Sequence, residues 1–349
     1  MERGADYTPA MTESKAMVLG CAGTVLSEDE IRFFRAERPW GFILFARNIG
    51  TPQQVIDLVG SMRDCVGRPD APVFIDQEGG KVQRLRPPVA PNYPSASAIG
   101  ALHRSDRATG ERAAWLLSRL MAFDLRRLGI TADCMPVLDV PVEGANDVIG
   151  TRAYAKDPET VAALGHAAAH GMIDGGVIPV MKHVPGHGRA FADSHLALPV
   201  VETPLEALRR HDFAPFSALR DLPMAMTAHV VYTAVDPDRP ATTSPKVIAD
   251  IIRGEIGFDG LLVSDDTSMK ALSGDFPQKA SAILAAGCDL VLHCNGVMEE
   301  MAGIASATTT LSGRALQRAE AAMSCIKGGD GADEAGLRQE FAGMFEAVA

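Results

Sequence analysis

Three short stretches of the chain concentrate side chains able to do chemistry. Lys182 to His195, KHVPGHGRAFADSH, sets three histidines, an aspartate and a lysine around a Pro-Gly turn. GLLVSDD (260–266) is apolar until Asp265 and Asp266 arrive together, and DQEGGKVQR (76–84) carries Asp76, Glu78 and Arg84. Asp193 and His195 stand two apart, a spacing that suits a tight loop. There a carboxylate accepting an imidazole N–H fixes the tautomer and leaves the other ring nitrogen to shuttle protons. The plainer use is an Asx-turn beside an exposed histidine. Neighbouring strand residues point to opposite faces, so Asp265 and Asp266 cannot both aim along the same direction. Leu261 and Val263 share the face of Asp265; if that face is inward, Asp265 is the central carboxylate. Both acids could instead cap the helix that begins near Ser268.

Arg84, Arg152 and Lys182, with Asp76 and His183, could supply the fixed donors and acceptors that a polyhydroxylated ligand needs. Each arginine could equally make a surface ion pair, which contributes little. Glu78 is a further candidate acid on spacing. A zinc site from His183, His187, His195, His229 and Asp265 is a third possibility.

These residues need elements to hold them. Nearly all-apolar runs fall at 16–21, 41–46, 73–76, 132–137, 178–183, 224–229, 261–265 and 290–294, the pattern of parallel strands covered on both faces. Helical patterns lie between them. TPQQVIDLVGSMRDCV has Thr51 as N-cap and Pro52 at the first helical position, and 110–129 repeats apolar residues at steps of three and four. Four more follow at DPETVAALGHAAAHGMIDGG, TPLEALRRHDFAPFSALR, SPKVIADIIRGEIG and PQKASAILAAG. Eightfold strand–helix alternation predicts an α/β fold, a single (β/α)₈ TIM barrel. A doubly wound sheet is the alternative, but GCAGTVLS is no glycine-rich phosphate fingerprint and no Walker A motif occurs. Barrel chemistry sits at the C-terminal ends of strands, and polar, glycine-rich sequence follows the third, fourth, fifth and seventh strands while His229 ends the sixth. The barrel is expected over 1–326. A glycine- and acid-rich solvated connector and a short amphipathic helix fill 327–349.

Composition narrows the partners. With 349 residues, 47% of them hydrophobic, the chain can bury a large core. A net charge of −11 offers no basic field for nucleic acid or an anionic membrane surface. Six cysteines without CxxC spacing suit buried thiols in a reducing compartment. MVLGC is preceded by MTESKA, not an apolar signal region, and no run reaches the ~20 apolar residues of a membrane span. The expectation is a cytoplasmic monomer with no nucleic-acid or membrane partner.

KHVPGHGRAFADSH, GFDGLLVSDDTSM and DQEGGKVQR, which are jointly specific, together resemble the family 3 glycoside hydrolases, in particular the bacterial β-N-acetylglucosaminidase branch of cell-wall recycling. GTRAY and AHVVYTAVDPDRPAT are similar to family segments, and the likeness runs from the first strand to the eighth. The resemblance implies Asp265 as nucleophile, His195 as general acid/base and Asp193 as its partner. It implies that Asp76, Arg84, Arg152, Lys182 and His183 bind the N-acetylglucosamine ring, which removes Glu78 from the candidate acids. It also implies that the DSH loop, not an added domain, supplies the acid. Val184 departs from the family, which usually has Phe there. His187 is expected to be structural, and Gly186 and Gly188 to let the loop swing.

The implied reaction is retaining hydrolysis of GlcNAc-anhydroMurNAc and its peptides through a covalent glycosyl-aspartate, with no cofactor and no metal. Phosphorolysis by the same residues, a neighbouring-group route through the N-acetyl oxygen, a metal-dependent barrel amidohydrolase and a non-catalytic sugar-binding protein are the competing readings.

Overall fold

The computed structural model describes residues 11–144, 147–190, 198–328 and 330–346. Eight parallel strands close into a barrel in chain order: β1 Lys15–Leu19, β2 Pro39–Leu44, β3 Val73–Ile75, β4 Ala132–Asp133, β5 Ile178–Val184, β6 Met224–Thr227, β7 Leu261–Asp266 and β8 Leu290–His293, with β8 pairing back onto β1. All eight coincide with apolar runs seen in the sequence, and the fold is the expected (β/α)₈ barrel.

Alternation along each strand divides the core in two. Val18, Ile43, Phe74, Val180, Met224, Leu261, Val263 and Leu290 belong to the cluster that fills the barrel. Their neighbours Met17, Leu19, Phe42, Leu44, Leu262 and Val291 belong to the cluster shared with the surrounding helices. Both sets are apolar because each strand is covered on both faces, which is why no polar–apolar alternation shows in the sequence. Leu311, Ala319 and Ala322 extend the interior cluster. The helix Gly313–Met323 therefore plugs one end of the barrel and leaves the other for the site.

Local expectations differ in four places. The fourth strand is shorter than 132–137; beyond Asp133 a single parallel bridge, Val137 to Lys182, continues the pairing. The segment TPLEALRRHDFAPFSALR forms two helices, Leu205–His211 and Ala214–Ala218, because Pro215 cannot donate into a continuing helix. Val247–Glu255 is π-helical. The C-terminal helix Glu334–Glu346 packs on the long helix Arg107–Arg127: Arg338 reaches Asp124 at 2.7 Å, and Arg112 makes a bidentate pair with Glu340 at 2.7 and 2.8 Å.

The helix Ala96–Ser105 touches the turn Gly150–Arg152 only because Gly100 has no side chain. A Cβ there would lie 1.8 Å from the carbonyl oxygen of Tyr154. Gly100→Ala should therefore lower stability by about 1–3 kcal/mol, the usual cost of overpacking, readable as a fall in Tm. Because the displaced turn carries Arg152, ligand affinity should fall with it. An unchanged Tm would show that the contact is not constraining.

Candidate active site

The site lies at the C-terminal end of the barrel, directly on its interior packing. Met226, Leu292 and Cys294, members of the interior cluster, form part of the wall of a cavity of about 150 Å³. Asp76, Arg84, Arg152, Lys182, His183, His187, Asp265 and Asp266 supply its polar lining. The sequence candidates Asp76, Arg84, Arg152, Lys182, His183 and Asp265 thus come together from five separate segments. Asp193 and His195 lie outside the described residues.

Each polar group is set by identifiable backbone. β3 delivers Asp76 and runs into a hairpin, Gln77–Gly79 with Val82–Gln83, that turns the chain back. The Gln77 side-chain oxygen accepts the N–H groups of Arg84 at 3.0 Å and Leu85 at 2.9 Å, which fixes the hairpin's exit. Arg84 Nη2 then meets Asp76 Oδ2 at 3.0 Å, and its guanidinium lies over the ring of Phe45, 5.0 Å from the centroid. The turn Gly150–Arg152 aims Arg152 at Glu78, with Nε to Oε2 at 2.8 Å and Nη2 to Oε1 at 2.7 Å. This bidentate geometry is the strong form of an arginine–carboxylate contact.

Lys182 and His183 are adjacent in β5, yet both line the cavity; the pairing of β5 with β6 shifts register between Lys182 and Val184. Lys182 Nζ sits 2.8 Å from Asp76 Oδ1 and 2.8 Å from Glu78 Oε1, and only 2% of its side chain is exposed. Burial alone would lower its pKa, but Asp76 and Glu78 outweigh that and hold it raised. Burial would likewise raise Asp76 and Glu78; Lys182 with Arg84 or Arg152 instead keeps both below the usual carboxylate range. Glu78 is therefore the anchor of Arg152 and Lys182, a role that spacing left open.

Asp139 was not legible in the sequence. It is fully buried and receives His183 Nδ1 at 2.7 Å and the His187 N–H at 2.6 Å. His187, expected to be structural, lines the cavity, its ring centroid 5.7 Å from that of His183. Burial and the neighbouring His183 push its pKa down to about 4. Gly188 is a close-approach position: a Cβ there would lie 2.1 Å from Val140 O.

β7 brings in the paired acids. Leu261 and Val263 do face the barrel interior, and beyond them Asp265 and Asp266 both line the cavity, the pairing with β8 shifting register between Val263 and Asp266. The two carboxylates have different surroundings. Asp266 accepts from Ser268 N–H at 3.0 Å, from the Ser268 hydroxyl and from Cys294 N–H at 3.1 Å, so the capping role falls to it alone. Asp265 Oδ1 accepts the Asp266 N–H at 2.8 Å, and among the described residues it has no ion pair. His229 Nε2 donates to the Asp266 carbonyl at 3.0 Å and its Nδ1 meets the Thr242 hydroxyl at 2.7 Å, which ties the end of β7 to the loop after β6. Burial would raise the pKa of Asp265, but His229, His183, the Asp266 amide and Lys182 outweigh it and leave it lowered.

Asp76 and Glu78 each pair with Lys182 and an arginine, Asp139 accepts from His183 and backbone amides, and Asp266 accepts from local donors. Asp265, like Asp266, has no salt bridge among the described residues, but where Asp266 is held by three local donors Asp265 accepts the Asp266 N–H and has its pKa lowered by the nearby histidines and Lys182. Among those residues, no three His, Cys, Asp or Glu groups are arranged to hold a metal ion.

Residues 26–325 match the glycosyl hydrolase family 3 N terminal domain. A β-hexosaminidase of Methylococcus capsulatus is 42% identical over 277 residues, 78% of this chain and 80% of that protein. One from Pseudomonas aeruginosa is 40% identical over 283 residues, 80% of this chain and 82% of that protein. The crystal structure of NagZ from Neisseria gonorrhoeae in complex with N-trifluoroacetyl-D-glucosamine superposes with a TM-score of 0.85 at 30% identity, covering 95% of this chain and 98% of that one. A barrel with a polar cavity at its C-terminal end, matched over this span and at this identity, belongs to glycosyl hydrolase family 3 and is a glycosidase of the β-hexosaminidase kind.

Proposed function

We propose that the protein is a retaining exo-β-N-acetylglucosaminidase that releases terminal N-acetylglucosamine from GlcNAc-anhydroMurNAc and its peptides. The observation that carries this reading is Asp265, an ionised carboxylate without a salt bridge among the described residues, lining a cavity of fixed hydrogen-bonding groups. An attacking carboxylate must be ionised and unneutralised, and Asp265 meets both conditions. Asp76, Arg84, Arg152, Lys182 and His183 are the groups to which we assign the sugar hydroxyls and the acetamido group. The cavity of about 150 Å³ is small beside the roughly 300–1,000 Å³ of drug-sized ligand sites, which favours one terminal ring over an internal stretch of polymer. The NagZ relative binds a 2-acylamino sugar of the proposed kind.

In the proposed cycle Asp265 attacks the anomeric carbon and forms a glycosyl ester while His195, oriented by Asp193, protonates the departing oxygen. His195 then takes a proton from water, which cleaves the ester with net retention. The roles of His195 and Asp193 rest on the sequence resemblance. An imidazole in place of the second carboxyl avoids repulsion with the anionic lactyl group of anhydroMurNAc. We assign catalysis to a single domain spanning 1–326, with 327–349 as an appended tail, and we place the protein in the cytoplasm as a monomer. No helix among the described residues is long and apolar enough to cross a membrane.

Product analysis on muropeptide fragments tests the assignment. Free N-acetylglucosamine, first formed as the β-anomer, is expected; the α-anomer first, or N-acetylglucosamine 1-phosphate when phosphate is added, would contradict retaining hydrolysis. Asp265→Asn should lower kcat by about 10³-fold or more with the fold intact by circular dichroism. The pH profile has a definite sign. The lowered pKa of Asp265 keeps the attacking form present above an already acidic value, so its ionisation does not limit the rate near neutrality. Any change of kcat/KM between about pH 5 and 8 should then come from the His195 imidazole. His195→Gln should slow both steps and flatten that limb; a limb that persists unchanged would remove His195 from the mechanism.

A further inference from the structure

Asp139 belongs to none of the three stretches that drew notice in the sequence, yet it is fully buried behind two histidines of the cavity lining. The backbone explains its position. Lys182 N–H donates to Pro136 O at 3.0 Å and Leu138 N–H donates to Lys182 O at 2.7 Å, so residues 136–138 are zipped to the end of β5. The next side chain, Asp139, must then face the segment that follows Lys182. Its Oδ2 lies 2.7 Å from His183 Nδ1, while Oδ1 takes the N–H of His183 at 3.3 Å and of His187 at 2.6 Å. No lysine or arginine pairs with it among the described residues.

We propose that Asp139 is a positioning residue for the glycosidase reaction: it holds the proton on His183 Nδ1 and thereby presents Nε2 to the sugar in the cavity. An ionised carboxylate can only accept, so the 2.7 Å contact requires the proton to sit on Nδ1. Burial would raise the Asp139 pKa, but the His183 ring and the His187 contacts outweigh it and keep the group ionised. The ring is thus fixed in tautomer and in rotation, and its other nitrogen meets the ligand. A ligand-facing imidazole oriented by a carboxylate behind it is a familiar device in enzyme sites. The amide contacts add a second effect, since they close the turn from which the chain leaves towards Asp193 and His195.

The inference rests on the reading of His183 as a sugar-binding group, and its test is built to separate the two. In the wild-type protein, ¹⁵N-histidine NMR should show His183 protonated at Nδ1. In Asp139→Asn, whose amide can donate as well as accept, the ring should shift towards the Nε2–H form, and kcat/KM on a chromogenic β-N-acetylglucosaminide should fall roughly 10–100-fold. In a His183→Ala background the same substitution should cost little more, because its effect passes through that ring. A purely structural aspartate would give the same loss in both backgrounds and leave the His183 resonances unmoved, and either result overturns the proposal. Should Asp139→Asn fail to fold, the wild-type spectrum alone decides: a resting Nε2–H tautomer at His183 contradicts it. The NMR outcome stands whether or not the protein turns over the substrate, so a failure of the glycosidase reading is distinguishable from a failure of this one.

Discussion

A lysine ammonium with 2% of its side chain exposed cannot be left unpartnered, and the upper end of this barrel is organised around that constraint. Moving such an ion out of water costs several kcal/mol even after relaxation, and close counter-charges are needed to offset it. Lys182 meets two, Asp76 and Glu78, both on the segment that leaves β3. Those two carboxylates exceed the charge of one lysine, and Arg84 and Arg152 join them from the hairpin exit and the turn after β4, so the network carries a net positive charge. One buried cation therefore specifies where three loops must come together. Removing one partner would strand a buried charge, at a cost of roughly 3–5 kcal/mol, whereas leaving the network intact is compatible with a rigid cavity.

That closed charge network also gives Asp265 its character. Asp76, Glu78, Asp139 and Asp266 are each occupied by cations, an imidazole or several local donors. Asp265 receives one backbone N–H and the more distant fields of His229, His183 and Lys182. Those fields favour the anion without covering it. Asp265, the proposed nucleophile, and its sequence neighbour Asp266 are thus told apart by their partners, not by residue type. His229 supports the arrangement from below by fixing the carbonyl of Asp266.

The barrel was legible because its strands are covered on both faces, which leaves continuous apolar runs such as LLV and FILF. The inward direction of Asp265 followed from the same alternation through Leu261 and Val263. Asp76, Arg84, Arg152, Lys182 and His183 could be grouped from their places after strand ends, but their assignment to one sugar ring, with Asp76 over Glu78, came from the family resemblance of their motifs. Asp139 was hidden for a physical reason: it stands in PVLDV, where flanking apolar residues read as a continuing strand, although β4 ends at Asp133. Its significance lies in a contact with a residue 44 positions away. The place of His187 in the cavity lining was obscured in the same way, since a histidine within a Pro-Gly turn gives no sign of which side it faces. The glycines of that turn suggested movement, but Gly188 is required by the close approach of Val140. The split of the helix after His211 could have been anticipated from Pro215.

The most direct measurement is the identification of the covalent intermediate. A fluorinated N-acetylglucosaminide with a good leaving group, which forms the glycosyl ester faster than water removes it, should add one glycosyl unit to the intact protein. Peptide mapping by mass spectrometry should then place that unit on the side chain of Asp265. A label on Asp266 or on any other residue, or turnover of the reagent with no adduct under conditions where the ester should accumulate, would contradict the account.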